Sequence, residues 1–347
     1  MSIKLKPLKD QVIVITGASS GIGLATATEA LKQGAAVVMA SRGIAQLEQL
    51  SVDFKAQGSR IAICEADMAV PEQVEKIAET AIREFGGFDT WVNNAGAAVY
   101  GTMEETDWED HKRVFDVNYF GLLKGSLVAL KHLREKGGAI INVGSIVSDR
   151  SVIMQGAYSA SKHAVLAATD ALRMDIMRSK SPVSVTLIKP GSIHTPYPEH
   201  AKNYMDTPAR IPAILYDPKL VADAILFAAQ HPKRQLYVGG TGYLSAKMGQ
   251  MFPAMMDYMM QKFAVTAQQA PEDPGNPALK DNLYESREGK IEGNQDFYVR
   301  RTSLFLSAQK YPLATTVAVG SSAALLGLYA LSALRKKANT SSIYTDH

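Results

Sequence analysis

Val12-Ile13-Val14-Ile15-Thr16-Gly17-Ala18-Ser19-Ser20-Gly21-Ile22-Gly23 joins a β-branched run to a glycine-rich turn. The run reads as a strand buried on both faces, the habit of parallel sheets. Glycines permit a tight turn and let backbone N–H groups approach an anion. The start of the next helix adds free donors and the positive end of a dipole. The spacing is G-x-x-x-G-x-G, not the G-x-G-x-x-G of the general dinucleotide fingerprint. The strand–loop–helix setting still marks Gly17, Ser19, Ser20, Gly21, Ile22 and Gly23 as a candidate pyrophosphate cradle. The competing reading is a glycine turn that binds nothing.

Outward from this stretch, short apolar runs alternate with helix-length segments. Strands are expected at 11–16, 35–41, 60–67, 89–93, 139–145, 184–189 and 235–238. Helices are expected at 21–33, 45–57, 71–85, 107–135, 158–179 and 218–231. Pro71 with Glu72 opens one helix and Gly86-Gly87 follows its end, which matches start and stop chemistry. This alternation predicts an α/β fold, a doubly wound Rossmann-type and mostly parallel seven-stranded sheet with helices on both faces.

Composition narrows the classes further. With 46% hydrophobic and 20% charged residues, wholesale disorder is excluded. A net charge of +3 is too weak a bias to imply nucleic acid, and none is expected as a partner. The single cysteine, Cys64, leaves no intrachain disulfide framework and fits a reducing compartment. Residues 1–10 carry no apolar stretch of the kind a signal peptide needs.

The second strand ends Met39-Ala40-Ser41-Arg42. An acid there takes the 2′-hydroxyl of NAD, whereas an arginine accommodates the 2′-phosphate of NADP. Arg42 without an acid therefore predicts NADP(H) over NAD(H), against the reading of an ordinary exposed arginine. Further on, Tyr158-Ser159-Ala160-Ser161-Lys162 opens a helix. Spacing i, i+4 puts phenol and ammonium on one face, where the cation is expected to lower the tyrosine pKa. Such a tyrosine can give a proton to a ketone oxygen or take one from an alcohol. Ser145, ending a strand at the sheet edge, could hold the same oxygen, and Asn118 adds a side-chain amide. Singly each is weak; their order after the glycine loop is not.

Thr16–Gly23, Asn93-Asn94-Ala95-Gly96, Asn118, Ser145, Tyr158-x-x-x-Lys162 and Pro190-Gly191 with Thr195 together resemble the short-chain dehydrogenase/reductase family over roughly residues 6–242. The resemblance implies Tyr158 as general acid/base, Ser145 positioning the carbonyl, and Lys162 tuning the tyrosine and holding the nicotinamide ribose. It implies Asn118 anchoring a water of a proton relay. It also implies cofactor contacts from Asp67 and Met68 to adenine and from Asn94, Ala95 and Gly96 beside its ribose. Pro190, Ile193 and Thr195 would lie at the nicotinamide, with Tyr158 and Lys162 counted among the cofactor-binding residues. The segment after Pro190, through Tyr197, His200 and Tyr204 to Tyr216, reads as a substrate lid. Val147, Val152, Ile153 and Met154 read either as pocket lining, which points to an apolar carbonyl or secondary alcohol as the small-molecule substrate, or equally as core.

Beyond residue 245 the pattern changes. The expected division is an enzyme domain at 1–245, a methionine-rich amphipathic helix at 246–265 and a polar linker at 266–312. A transmembrane helix at 313–334 and a basic tail at 335–347 would follow. The uncharged run Leu313–Leu334 would span about 33 Å as a helix, enough for a hydrocarbon core of about 30 Å. It predicts a lipid-bilayer partner and a membrane-anchored enzyme with its catalytic domain in the cytoplasm. A homo-oligomer is expected only by analogy. Two other functions compete: a non-catalytic nucleotide-binding redox sensor, which would not need the Asn118/Ser145/Tyr158/Lys162 set, and a serine hydrolase, for which Val143-Gly144-Ser145-Ile146-Val147 lacks the second elbow glycine.

Overall fold

The computed structural model describes residues 3–212, 214–273, 280–313 and 315–316. Its strands are β1 (Val12–Thr16), β2 (Ala36–Ser41), β3 (Ile61–Glu65), β4 (Thr90–Asn93), β5 (Val99–Tyr100), β6 (Gly138–Val143), β7 (Val183–Pro190), β8 (Lys202–Asn203), β9 (Leu215–Tyr216), β10 (Gln235–Val238) and β11 (Val299–Arg300). Seven of them form a parallel sheet in the order β10-β7-β6-β4-β1-β2-β3. The register runs Val14 against Val38 on one side and against Trp91 on the other. All seven expected strands are present within one or two residues at most ends. Order reverses beside β1, so the chain leaves β1 and β4 toward opposite faces of the sheet and opens a crevice beyond their carboxyl ends.

The helices are α1 (Gly21–Lys32), α2 (Ile44–Ala56), α3 (Pro71–Phe85), α4 (Trp108–Phe115), α5 (Leu122–Leu133), α6 (Gly156–Ser179), α7 (Tyr197–His200), α8 (Pro218–Ala228), α9 (Gly240–Met251) and α10 (Pro253–Met259). On one sheet face, Val14, Val38, Ile140 and Val185 pack with Val74 and Ile77 of α3, Leu133 of α5 and Leu172 of α6. On the other face α1 packs against α8. Pro71 starts α3, and Gly86 at φ 77° ends it with a left-handed residue.

A buried polar layer runs through the apolar core. The Asn93 amide donates to Ser126 (2.9 Å) and Asn142 (2.8 Å), and its oxygen accepts from the Trp91 indole (2.7 Å). Asn142 donates in turn to Thr169 on α6 (3.0 Å). Satisfied networks of this kind set a unique arrangement of the elements that share them, here β4, β6, α5 and α6.

Two expected helices are broken. The 107–135 helix is interrupted by a π-helical turn, Asp116–Gly121. At its end Gly121 sits where any Cβ would press on Met68. The methionine-rich helix breaks at Phe252-Pro253, because proline cannot continue a helix through its own N–H. Met251, Met255, Met259 and Phe263 stay exposed, while Met256 is buried.

The contacts divide the chain into two units, Met1–Ser303 and Leu304–His347. Residues 280–303, in the stretch read as a polar linker, belong to the larger unit, and β11 pairs with β9. In the smaller unit the described helix is Leu304–Lys310. Among the described residues no helix is long and apolar enough to cross a membrane. That finding overturns the expected membrane-anchored localisation, since a helix must cross a hydrocarbon core of about 30 Å to anchor the chain in this way. Apart from 313, 315 and 316, the run 313–334 lies outside the described residues, as does the basic tail.

Replacing Asn142 by Leu leaves one buried N–H of Asn93 without its acceptor. We expect this to lower the unfolding free energy by about 1–3 kcal/mol, read as a lower urea midpoint. An unchanged midpoint would show that the layer contributes nothing to stability.

Candidate active site

The crevice at the carboxyl ends of β1 and β4 is built around one turn. Gly17 has φ 64°, and a Cβ there would lie 2.7 Å from the Ala95 backbone. Its neighbour Thr16 places a hydroxyl that donates to the Val92 carbonyl (3.3 Å) and accepts from the N–H groups of Asn94 (3.0 Å) and Ala95 (3.1 Å). The Asn94 amide closes the circle on the carbonyls of Thr16 and Gly17. Gly23 allows α1 to start against that same turn. Ser19 accepts from Ser41 at the end of β2 (3.0 Å).

From this loop a cavity of about 580 Å³ runs past Ser145 and Tyr158 to Met260 and Gln268. It is lined by Gly17, Ser19, Ser20, Gly21, Ile22 and Arg42 at one end. Asp67, Met68, Asn94, Ala95 and Gly96 lie along its side, and Pro190, Ile193 and Thr195 lie near Ser145. Gly23 is the one candidate cradle residue outside the lining; it serves by close packing. An elongated cleft with a glycine cradle at one end fits a dinucleotide.

Ser145 follows β6 and starts a short turn. Its hydroxyl accepts from Val147 N–H (3.2 Å), and Ser148 returns the bond to Ser145 N–H (3.2 Å), a reciprocal cap. Below the turn a buried Lys189–Asp149 pair (2.8 Å), joined by the Tyr237 hydroxyl (2.8 Å), holds the loop to β7 and β10. Tyr158 and Lys162 lie one turn apart on α6. Lys162 donates to the Val143 carbonyl (2.9 Å) and stands 5.6 Å from the Tyr158 ring centre. Asn118 in the π-turn is fully buried: its oxygen accepts from Ala97 N–H (2.7 Å), and its amide donates to Ala97 O and Ser161 (2.9 Å each). With every polar group of its side chain engaged, Asn118 ties the Ala97 loop to α6.

Electrostatics here differ from the expected phenol-lowering cation. Burial pushes Tyr158 up to about 12, with the Ser145 hydroxyl pulling against it. Burial also brings Lys162 down to about 8, because a cation loses hydration inside the wall of the cleft. Asp67, expected at adenine, accepts from Arg113 (2.6 Å). His200 is drawn down to about 4 by burial and then by the Arg287 charge, so it is neutral at pH 7.

Several contacts in the site leave no pattern in the sequence. Tyr100 on β5 and Tyr197 on α7 form edge contacts with each other and, through Tyr197, with Tyr158. The Tyr197 hydroxyl donates to Gln155 (2.8 Å), which reaches Gln268 beyond the methionine-rich segment. Arg42 donates to the backbone carbonyls of Asn282, Leu283 and Tyr284. Gly21 N–H, a cradle donor, bonds Lys290 O (2.9 Å).

Comparison with known proteins agrees with this construction. The model of the short chain dehydrogenase family matches residues 11–205. The uncharacterized oxidoreductase YxnA of Bacillus subtilis (strain 168) is 44% identical over 321 residues, 91% of this chain and 90% of that protein. An alcohol dehydrogenase from the archaeon Thermococcus sibiricus, complexed with 5-hydroxy-NADP, has TM-score 0.58 at 25% identity. That match covers 66% of this chain and 95% of that one. A short chain dehydrogenase/reductase from Burkholderia phymatum in complex with NAD has TM-score 0.66 at 23% identity, covering 78% and 100%, and shows likeness of fold. The chain belongs to the short-chain dehydrogenase/reductase family, oxidoreductases that act on CH–OH donors with NAD(P).

Proposed function

We propose that this enzyme is an NADP(H)-dependent oxidoreductase for an apolar carbonyl or secondary alcohol, with Tyr158 as its acid/base. The observation that carries the reading is the convergence of Ser145, Tyr158 and Lys162 in the wall of one cavity that begins at the glycine loop. The bound nicotinamide supplies the hydride. The chain's part is to hold the substrate oxygen and manage its proton. Tyr158, kept as a phenol by burial, donates to the carbonyl oxygen in reduction and takes the proton back in oxidation. Ser145, held by its cap, orients that oxygen and stabilises developing charge. Lys162 lies under Tyr158 and can donate toward a ribose, while Asn118 positions α6 through Ser161. Tyr100, Val147, Val152, Tyr197, Met260 and Ala264 make the substrate end apolar and exclude water.

The cofactor preference rests on the end of β2, where Arg42 stands beside Ser41 and Ser19 with no carboxylate at the strand terminus. A carboxylate there would repel a 2′-phosphate; a guanidinium pairs with it. The sensor reading is disfavoured because Ser145, Tyr158 and Lys162 meet in one wall of the cleft, an arrangement that proton transfer needs and a nucleotide sensor does not.

Three measurements test the reading. Steady-state assays with ketones should give kcat/KM at least about tenfold higher with NADPH than with NADH; clear NADH preference refutes the Arg42 assignment. Tyr158→Phe should cut kcat by about 100- to 10,000-fold while nucleotide binding persists, and near-normal turnover removes Tyr158 from the chemistry. Because the phenol pKa is raised, carbonyl reduction should be flat with pH up to about 10. Alcohol oxidation, which needs the phenolate, should climb with pH over the same range. Flat oxidation together with falling reduction overturns the assignment.

A further inference from the structure

Residues 280–295 cross the mouth of the nucleotide cleft and grip both of its rims. On the β2–α2 rim, Arg42 is capped by the carbonyls of Asn282, Leu283 and Tyr284. Gln46 makes a two-way bond with Gly289, donating to its carbonyl (2.6 Å) and accepting from its N–H (3.3 Å). Gly21 N–H, at the first turn of α1, is taken by Lys290 O (2.9 Å). On the lid rim, Asn282 N–H donates to His200 O (2.9 Å), Arg287 donates to Glu199 O, and Asn294 N–H donates to the Glu199 carboxylate (2.9 Å). Leu283 is fully buried, and the Tyr284 hydroxyl bonds buried Asp110 (2.8 Å). Gly289 passes so close to Ser20 that a Cβ on it would lie 2.7 Å from the Ser20 Cβ. Asn282, Ser286 and Arg287 form part of the cleft wall.

Arg42 and Gly21 N–H are donors that a nucleotide phosphate would use, and backbone carbonyls of this segment hold both. We propose that residues 282–290 are an autoinhibitory strap, which a dinucleotide must displace from Arg42, Gln46 and Gly21 before its phosphates can seat. The inference rests on the cleft being the nucleotide site, not on Tyr158 carrying the proton. A seated strap lowers apparent nucleotide affinity by the fraction of molecules that are closed, so loosening the strap raises affinity and fixing it shut abolishes rapid entry. The two rims give the device its handles, since the lid-side contacts can persist while the β2–α2 side lets go.

A reversible lock tests this in the full-length chain. An ideal Cβ on Gly43, whose φ of −82° suits any residue, lies 3.5 Å from the Ser286 Cβ, within disulfide range. Gly43→Cys with Ser286→Cys is oxidised or reduced, and NADPH binding is followed by stopped-flow nucleotide fluorescence; Ser286→Cys alone is the control. The oxidised form should bind at least about tenfold more slowly than the same protein reduced. Equal rates in the two redox states overturn the strap. Independently, Gln46→Ala removes two latch bonds from a residue outside the cleft wall and should tighten NADPH binding about three- to tenfold. Unchanged or weaker binding in that variant also overturns it. Both readouts are binding rates and affinities, so they separate this inference from the Tyr158→Phe turnover assay.

Discussion

The close approach of the Thr16–Gly17 turn to Asn94-Ala95 is the contact on which the rest of the site depends. Two parallel neighbours, β1 and β4, end together, and a hydroxyl and an amide knit their loops edge to edge. The fit requires a residue without Cβ at Gly17 in a left-handed conformation, because Ala95 fills the space a side chain would take. With those loops pinned, α1 must begin at the crevice, and its first N–H groups face the cleft rather than solvent. Every wall residue further along is placed relative to this junction.

The Ser145–Tyr158–Lys162 end of the cleft is set by burial as much as by charge. Tyr158 is held as a phenol and Lys162 is drawn toward its neutral form for one reason, the loss of water around both. The pair therefore does not form a simple phenolate–ammonium couple in this structure. Rigidity comes from outside the pair: the Lys189–Asp149–Tyr237 cluster fixes the Ser145 turn, and the Asn93–Asn142–Thr169 chain fixes α6 against β6. Side chains carried on rigid elements hold their geometry.

Much of this was legible in the sequence, for identifiable reasons. Strands such as Val12–Thr16 declare themselves because parallel strands are apolar on both faces, and α3 because proline and glycine mark its ends. The glycine loop and the Tyr158/Lys162 spacing are local patterns, and the cavity collects their residues. What did not show were features made by distant partners. Helix periodicity runs unbroken through 107–135, and only the demand for Asn118 to reach Ala97 reveals the π-turn. Residues 280–303 look like solvated linker because their grip is made by backbone carbonyls and N–H groups, which leave no trace in side-chain composition. The uncharged run at 313–334 suggests a span, but apart from 313, 315 and 316 it lies outside the described residues, and no described helix is long and apolar enough to cross a membrane.

The π-turn has a consequence for how this chain can vary in length. An α-helix turns about 100° per residue, so the residue that the wide turn accommodates carries Asn118 and all that follows it around by that angle. Loss of one residue between Asn118 and Gly121 would rotate one side of the helix against the other by that angle. It would swing the amide away from Ala97 or the Gly121 notch away from Met68. Surface loops in general absorb insertions and deletions, whereas this turn counts residues.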